Sequence, residues 1–152
     1  MTADASVRAA DATTDWWKTV CGNVDRRTRR RLRTLGSEYV YMSDSVIVSE
    51  GSRADRFFLI IHGEVDVMID GEVVNTLDAG DFFGEVALIH AQPVGPGDSP
   101  VTIPRTATVR ARKATRVREL DGAELMTMME AAPSAASRIS SRAVGRLAAR
   151  KL

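Results

Sequence analysis

Residues 49–71 read SEGSRADRFFLIIHGEVDVMIDG, and this stretch decides the fold. In its second half, Val65, Val67 and Ile69 alternate with acidic residues, which is the two-residue period of a strand with one buried face. The dipeptide Asp70-Gly71 that follows is typical of a two-residue β-hairpin turn, because both turn positions need a positive φ. The stretch therefore predicts consecutive antiparallel strands.

The same strand composition continues on both sides of this stretch. Segments rich in β-branched and aromatic residues predict strands, and they are YVYM, SVIVSE, FFLIIH, EVDVMID, EVVNTL, TATVRA and TRVREL. Glycines stand at positions 51, 63, 71 and 80, and the last three are eight and nine residues apart. Turns at such regular spacing favour an antiparallel sandwich or barrel over a parallel sheet.

Helical signals precede the strands. Residues 1–15 are rich in Ala, Thr and Asp, and we expect them to form a disordered N-terminal arm. Helices are predicted over residues 16–35, where Asp25 is a suitable N-cap and Gly36 ends the last turn. The tryptophans at 16 and 17 are interpreted as packing against the domain, and the alternative is an exposed partner site.

Helical signals return after the strands. Asp121 is a suitable N-cap for a helix through about Ala131, and Pro133 fits the first turn of a final helix. These signals predict C-terminal helices over residues 121–151, after strands over residues 39–120. Residues 16–152 are expected to form a single domain.

Composition limits the class of protein. The chain has 152 residues, of which 44% are hydrophobic and 27% charged, values typical of one globular domain. Its longest apolar run, residues 57–61, is too short to span a membrane, and residues 1–15 lack the apolar core of a secretory signal. The single cysteine, Cys21, excludes an internal disulfide and favours a reducing, cytoplasmic location.

The net charge of +1 conceals a strong asymmetry along the chain. Residues 26–33, RRTRRRLR, carry +6, residues 34–100 carry −10, and residues 101–152 carry +7. Basic ends around an acidic middle occur in nucleic-acid-binding proteins, but more often such ends pack beside the middle. We favour the second interpretation.

One interruption of the strand pattern has the composition of a binding site. It consists of residues 80–88, GDFFGEVAL, and, after a loop, residues 104–109, PRTATV. The stretch from Gly84 onward is long enough for one helical turn, and the first N–H groups of such a turn can bind an anion. Because Gly84 has no side chain, the anion can approach the backbone closely. Glu85 supplies an acceptor for hydroxyl groups, and Arg105 a planar fork for two phosphate oxygens. These groups predict a site for a small molecule with both an anion and sugar hydroxyls.

Both half-motifs resemble the phosphate-binding cassette of the cyclic nucleotide-binding domain family, which includes catabolite-activator-type regulators, cyclic-nucleotide-dependent kinases and cyclic-nucleotide-gated channels. The cassette reads roughly F-G-E-x-A-L, a short linker and R-[TSA]-A, and this chain has FGEVAL and RTA. Residues 49–71 are also similar to the family's strand, glycine turn and strand. The resemblance covers roughly residues 17–150. It implies a mainly β fold, an eight-stranded antiparallel β-roll of the jelly-roll type with N-terminal helices and two C-terminal helices.

The resemblance also implies roles for the matching positions. The backbone of Gly84 and Ala87 lines the phosphate and sugar, and Glu85 accepts a hydrogen bond from the ribose 2′-hydroxyl. Arg105 pairs with the charge of the cyclic phosphate, and the Thr106 hydroxyl reaches phosphate or base. An alternative for Glu85 and Arg105 is a salt bridge that closes an empty roll. The full set of predicted ligand-binding residues is Phe83, Gly84, Glu85, Val86, Ala87, Arg105, Thr106 and Ala107.

The chain departs from the family in the linker between the half-motifs. Residues 89–104, IHAQPVGPGDSPVTIP, form a sixteen-residue segment where the family has a handful, and they hold four of the five prolines. A proline-rich insertion cannot extend a sheet, and we expect an exposed loop beside the site. Three roles stay open for it, namely covering the ligand, docking a partner, or none.

Catalytic and metal sites are not indicated. A cupin-type metalloenzyme on a similar roll needs several spaced histidines, whereas this chain has only His62 and His90. No Ser-His-Asp or Cys-His arrangement is apparent, and Cys21 is interpreted as a packing residue. We therefore expect a protein that is not an enzyme and that has no metal and no cofactor.

The predicted final helix carries one basic stripe at four-residue spacing, formed by Arg138, Arg142, Arg146 and Arg150. The family resemblance implies that this helix closes over the base. The stripe is interpreted either as part of that ligand lid or as a solvated face beside the acidic middle.

No helix-turn-helix follows the final helix, and we expect no nucleic-acid partner and no membrane segment. The chain is interpreted as a stand-alone sensor or as a regulatory region of a longer protein. Its expected protein partners are a second copy, as a homodimer, or an unidentified effector.

The predicted function is reversible, non-catalytic binding of a cyclic purine nucleotide, with cAMP placed before cGMP. The Arg- and Ala-rich composition is typical of bacteria, where cAMP is the commoner messenger. Thr106 by itself does not decide, because a hydroxyl at this position occurs with either nucleotide. The alternative is a protein-interaction module with an empty pocket that uses residues 26–33 and the insertion.

Overall fold

The computed structural model describes residues 7–11, 13–52, 56–84 and 107–151, with the backbone alone over residues 143–151. Within these ranges it contains nine strands and four helices, which we number in chain order. The strands are β1 (Val7–Ala10), β2 (Ser37–Tyr41), β3 (Val46–Val48), β4 (Arg56–His62), β5 (Glu64–Ile69), β6 (Glu72–Asp78), β7 (Phe82–Phe83), β8 (Thr108–Ala111) and β9 (Thr115–Asp121). The helices are α1 (Lys18–Cys21), α2 (Arg26–Arg33), α3 (Gly122–Ala131) and α4 (Pro133–Lys151).

The described strands form two sheets. One has the order β1-β2-β9-β4-β7, and the other has the order β3-β8-β5-β6. Every pair of neighbouring strands is antiparallel. Strands β2 to β9 correspond to the eight strands of the expected β-roll, so the predicted mainly β fold with flanking helices is confirmed.

Two hydrophobic clusters lie on either side of the five-stranded sheet. The outer cluster joins this sheet to the helices, and its buried members are Trp16, Trp17, Val20, Cys21, Leu32, Phe57, Leu59, Phe82, Leu120, Leu125, Met128, Ala132, Ala135 and Ile139. The inner cluster lies between the two sheets, and its buried members are Phe58, Ile60, Val65, Leu77, Phe83, Val109 and Val117. Both tryptophans are buried in the outer cluster, which confirms that they pack against the domain.

Strand β4 contributes to both clusters, because side chains along a strand alternate between the two faces of a sheet. Phe57 and Leu59 belong to the outer cluster, whereas Phe58 and Ile60 belong to the inner cluster. A strand covered on both faces needs apolar residues at consecutive positions. This explains why its sequence lacks the alternation seen in β5.

The turn between β5 and β6 is the hairpin that Asp70-Gly71 predicts. Ile69 pairs with Glu72, and the two residues between them have φ values of 53° and 81°. Positive φ at both positions is the backbone of a two-residue turn that matches the twist of its strands. The predicted hairpin is therefore confirmed.

The predicted helix caps are also confirmed. The carboxylate of Asp25 accepts a hydrogen bond of 2.7 Å from the backbone N–H of Thr28 at the start of α2. Asp121 accepts one of 2.8 Å from the backbone N–H of Glu124, whose side chain bonds back to the Asp121 N–H. Such reciprocal bonds satisfy two backbone donors that the first helical turn leaves free. Pro133 lies in the first turn of the final helix, as predicted.

The N-terminal segment corrects part of the expectation for residues 1–15. Instead of a disordered arm, the structure places Val7–Ala10 in strand β1, which extends the five-stranded sheet beyond β2. Pairing at a sheet edge uses backbone groups, so the Ala- and Asp-rich composition gave no signal for it. The helical region over residues 16–35 is divided into α1 and α2, which are separated at Gly22.

A buried charge network, which the sequence did not reveal, holds this segment in place. Glu38 on β2 accepts hydrogen bonds from the backbone and hydroxyl of Thr13 and is 3.2 Å from both Arg116 and Arg118. Burial favours a higher pKa for the Glu38 carboxyl, but the Thr13 bonds and the two guanidinium groups outweigh it and lower that pKa. Arg118 also donates through Nε to the Leu35 carbonyl at 2.9 Å.

Candidate functional site

The first half-motif begins on the short strand β7. Phe83 pairs with Phe58 of β4, and the two rings stack with centroids 4.7 Å apart. Phe83 is therefore a buried member of the inner cluster. This packing fixes the chain direction immediately before the remaining residues of the motif.

Gly84 follows β7 with a φ of 92°, in the left-handed region that favours glycine. A residue with a Cβ would be strained in this conformation. The glycine that sequence reasoning assigned to anion binding therefore has a backbone that other residues rarely adopt. The chain therefore makes a turn at the end of β7 that favours glycine at this position.

The second half-motif ends on the opposite sheet. Ala107 is half-buried directly before β8, and Val109 of β8 belongs to the inner cluster together with Phe83. Thr108 accepts a hydrogen bond of 2.9 Å from the backbone N–H of Glu50, which ties the start of β8 to the loop after β3. The two half-motifs thus connect to different sheets beside the same core.

Several predicted site residues lie outside the part of the chain that the structure describes. They are Glu85, Val86, Ala87, Arg105 and Thr106, and the insertion at residues 89–104 lies outside it as well. Of the predicted ligand-binding residues, the structure places Phe83, Gly84 and Ala107. The roles assigned to all eight positions stay predictions.

Helix α4 contacts the strand that leads into the first half-motif. The Arg142 guanidinium lies 5.3 Å from the centroid of the Phe82 ring and 4.0 Å from an Asp81 carboxylate oxygen. Arg138 donates a hydrogen bond of 2.7 Å to the backbone carbonyl of Thr19. Two members of the basic stripe therefore bind protein groups, and the side chains of the other two lie outside the described part.

The single cysteine is not activated as a nucleophile. Burial raises the pKa of Cys21 to about 11, so this thiol stays protonated at neutral pH and is a poor nucleophile. No group of three His, Cys, Asp or Glu side chains in the described ranges is arranged to hold a metal ion. Among the helices described, none has the length and apolar character needed to cross a membrane.

Comparison with known proteins gives a match over the strands and both half-motifs. A family model described as the cyclic nucleotide-binding domain matches residues 39–132. A cAMP-dependent protein kinase regulatory subunit of Schizosaccharomyces pombe is 32% identical over 103 residues, which cover 67% of this chain and 22% of the relative. A cGMP-dependent protein kinase of Toxoplasma gondii is 39% identical over 74 residues, covering 49% of this chain and 6% of that kinase. The chain thus spans less than a quarter of either relative.

Solved structures agree with the fold. A cyclic nucleotide-binding domain from Methylobacillus flagellatus has a TM-score of 0.68 at 20% identity and covers 95% of this chain and 83% of that one. The regulatory domain of Toxoplasma gondii PKA, crystallised with cAMP, has a TM-score of 0.66 at 23% identity and covers 87% of this chain and 48% of that one. The shared architecture is an antiparallel β-roll with flanking helices.

Proposed function

Because the chain belongs to the cyclic nucleotide-binding domain family, we propose that it binds a cyclic purine nucleotide as a regulatory, non-catalytic sensor. The family match over residues 39–132 carries this proposal, since it includes both half-motifs of the predicted cassette. We place cAMP first and cGMP second. The similar proteins include one named for cAMP and one named for cGMP, so they do not decide between the two nucleotides. Binding measurements are needed to choose.

The proposed site uses three kinds of polar group. The backbone N–H groups of Gly84 and Ala87 bind the phosphate and sugar side, where a glycine lets the ligand approach closely. Arg105 forms a charge-assisted pair with the cyclic phosphate. Glu85 accepts a hydrogen bond from the ribose 2′-hydroxyl, and Phe83, Val86, Thr106 and Ala107 complete the lining. The positive φ of Gly84 supports this assignment.

The proposed signal passes from the cassette to α4. Asp81 and Phe82 immediately precede the phosphate-binding turn, and both contact Arg142 of α4. A ligand that binds one arrangement of this turn more tightly than another shifts the population toward it. Because α4 contacts the residues next to the turn, its position is expected to differ between the two arrangements.

The test is titration calorimetry of the chain with cAMP, cGMP and, as a ligand control, linear 5′-AMP. Saturable binding of a cyclic nucleotide at a ratio of one per chain, with much weaker binding of 5′-AMP, is the expected result. Equal binding of the cyclic and linear compounds contradicts a cassette shaped for a cyclic phosphate. Absence of binding to both cyclic nucleotides favours the alternative of an empty roll that serves as an interaction module.

A further inference from the structure

Helix α2 carries a basic surface that the nucleotide site does not use. Six of its eight residues are arginines, and all six are exposed. Arg26, Arg29, Arg30 and Arg33 share one flank and line a shallow, open groove of about 200 Å³. Their spacing of three and four residues is that of one helix face.

These arginines lack acidic partners within the described part of the chain. The described ion pairs neutralise other basic residues, namely Lys18, Arg110, Arg112, Arg116, Arg118 and Arg142. Basic residues that follow the acidic segment 34–100 in the sequence therefore pair with it, as the charge pattern predicts. Among the described residues, no ion pair joins α2 to this segment.

An acidic surface lies on the other side of the molecule, on the β5–β6 hairpin. Asp70, Glu72 and Asp78 are exposed and form no ion pair among the described residues. Val73 and Val74 between them are 52% and 56% exposed. The register places Val73 and Asp78 on one face of the sheet and Glu72 on the other, so the two carboxylates flank the exposed valines along the edge strand.

The two surfaces face away from each other. Leu32 anchors α2 in the outer cluster, on the helical side of the five-stranded sheet. Leu77 anchors β6 in the inner cluster, on the opposite side of that sheet. The basic helix therefore cannot reach the acidic hairpin of its own chain, but it can reach that of another copy.

The hairpin edge is unsuited to pairing with another strand. Val67 pairs with Asn75 and Met68 with Val73, so Val74 is an extra, unpaired residue. Such a bulge interrupts the edge that an added strand would need. Antiparallel pairing of two β6 strands centred on Asn75 would also bring Glu72 opposite Asp78, two like charges. Contact through side chains is therefore favoured over sheet extension.

We propose that the arginine flank of α2 docks on the β5–β6 hairpin of a second copy of this chain. The net charge of +1 means that two copies do not repel each other at long range, while their segregated charges attract head to tail. A free polyanion is attracted by α2 but repelled by the acidic hairpin, whereas a second copy complements both. Guanidinium forks pair with the carboxylates, and the arginine stems cover Val73 and Val74.

This contact is heterologous, because each copy uses α2 on one side and the hairpin on the other. It leads to open chains or rings, and it involves no residue of the proposed nucleotide site. The first measurement is therefore made without nucleotide, by sedimentation at increasing protein concentration. At about 0.02 M salt we expect the average mass to rise above 16.5 kDa, and at about 0.5 M salt to return to it, because salt screens the attraction.

Charge-reversed variants test the surfaces. R26E/R30E replaces two positive charges of the groove by two negative ones, and R27E/R31E makes the same change of net charge on the other flank of the same helix. We expect the first variant to abolish association and the second to retain most of it. Equal losses in both contradict docking at the groove, because net charge alone would then explain the effect.

Complementation gives the decisive result. The hairpin variant E72K/D78K should fail to self-associate, as R26E/R30E does. A mixture of the two should associate again, because the unchanged α2 of the hairpin variant meets the unchanged hairpin of the helix variant and the two reversed surfaces also attract each other. Circular dichroism spectra and melting temperatures confirm that each variant is folded. The proposal is overturned if wild type stays at monomer mass at low salt, if the mixture does not associate, or if α2 binds only an added polyanion such as heparin.

Discussion

Helix α2 and strand β9 use the same side chain, arginine, in opposite ways. The six arginines of α2 are exposed and form no salt bridge among the described residues, and Arg27 acts electrostatically on the carboxylate of the N-cap Asp25. Arg118 of β9 is only 3% exposed and joins Glu38, the Leu35 carbonyl and the Trp16 ring. An arginine is structural here where a distant part of the chain supplies its partner. An arginine without such a partner is available for binding.

The sharpest test of this comparison is Arg118→Ala. The change leaves Glu38 with fewer donors and leaves a buried carbonyl unpaired, and breaking a buried ion pair typically costs about 3–5 kcal/mol. Chemical denaturation should show this loss in the free energy of unfolding. The matched control is Arg27→Ala on exposed α2, which should change stability by less than about 0.5 kcal/mol. Similar losses in both variants would remove the distinction between the two segments.

Arg105→Ala extends the comparison to an arginine whose partner is proposed to be the ligand. We expect affinity for cAMP to fall at least about a hundredfold, which corresponds to about 2.7 kcal/mol. Calorimetry measures this loss, and thermal melting without ligand should be nearly unchanged. Arg27→Ala again serves as the control and should bind like wild type. If Arg105→Ala binds as tightly as wild type, the assigned pocket is wrong.

Glu38→Gln changes the buried carboxylate that pairs with the arginines of β9, and its effect on stability should depend on pH. Since the folded state lowers the pKa of Glu38, its stabilising effect is complete above the unfolded pKa of about 4.3 and is lost as pH falls through the folded value. At pH 7 the variant should be less stable by about 2 kcal/mol. This difference should shrink below about pH 4, as followed by denaturation at several pH values. A constant difference would mean that the Glu38 charge does not matter.

The smallest expected effect concerns Thr106, beside Arg105. One hydrogen bond to the base contributes about 0.5–1.5 kcal/mol, so Thr106→Ala should weaken cGMP by about three- to tenfold. The loss for cAMP should be smaller, because the guanine 2-amino group is absent from adenine. Calorimetry with both nucleotides checks this. Equal losses would place the hydroxyl on the phosphate and remove Thr106 as a selector.

Local features of the fold were predictable because they depend on neighbouring residues. Asp70-Gly71 determines a hairpin through its own φ preferences, and Asp25 and Asp121 cap the helices that they immediately precede. The apolar run of β4 predicts a strand in the same way. Each of these signals is contained in a few consecutive residues, and the structure agrees with each.

Long-range features were not predictable from one sequence. Glu38 and Arg118 are 80 residues apart, and nothing local to either marks it as buried and paired. Strand β1 was missed because its pairing with β2 relies on backbone groups that every sequence has. For the site, the sequence identified both half-motifs, and Gly84 has the unusual backbone expected of the first. The contacts of Glu85 and Arg105 depend on how two separate segments meet, and their roles stay predictions.

The double burial of β4 also has a consequence for solubility. A run of large apolar residues without proline is the composition of an aggregation-prone segment, and here it is bounded by Arg56 and His62. Within the sheet, β9 covers one edge of this strand along most of its length. The other edge pairs with the two residues of β7, and there the Ile60 N–H donates to the Asp81 carbonyl while the Ile60 carbonyl accepts from the Gly80 N–H. Among the described residues, the short segment 80–83 therefore shields this edge of an aggregation-prone strand. Any change that detaches β7 is expected to leave this edge of β4 unpaired, and so prone to aggregation, before the rest of the chain unfolds.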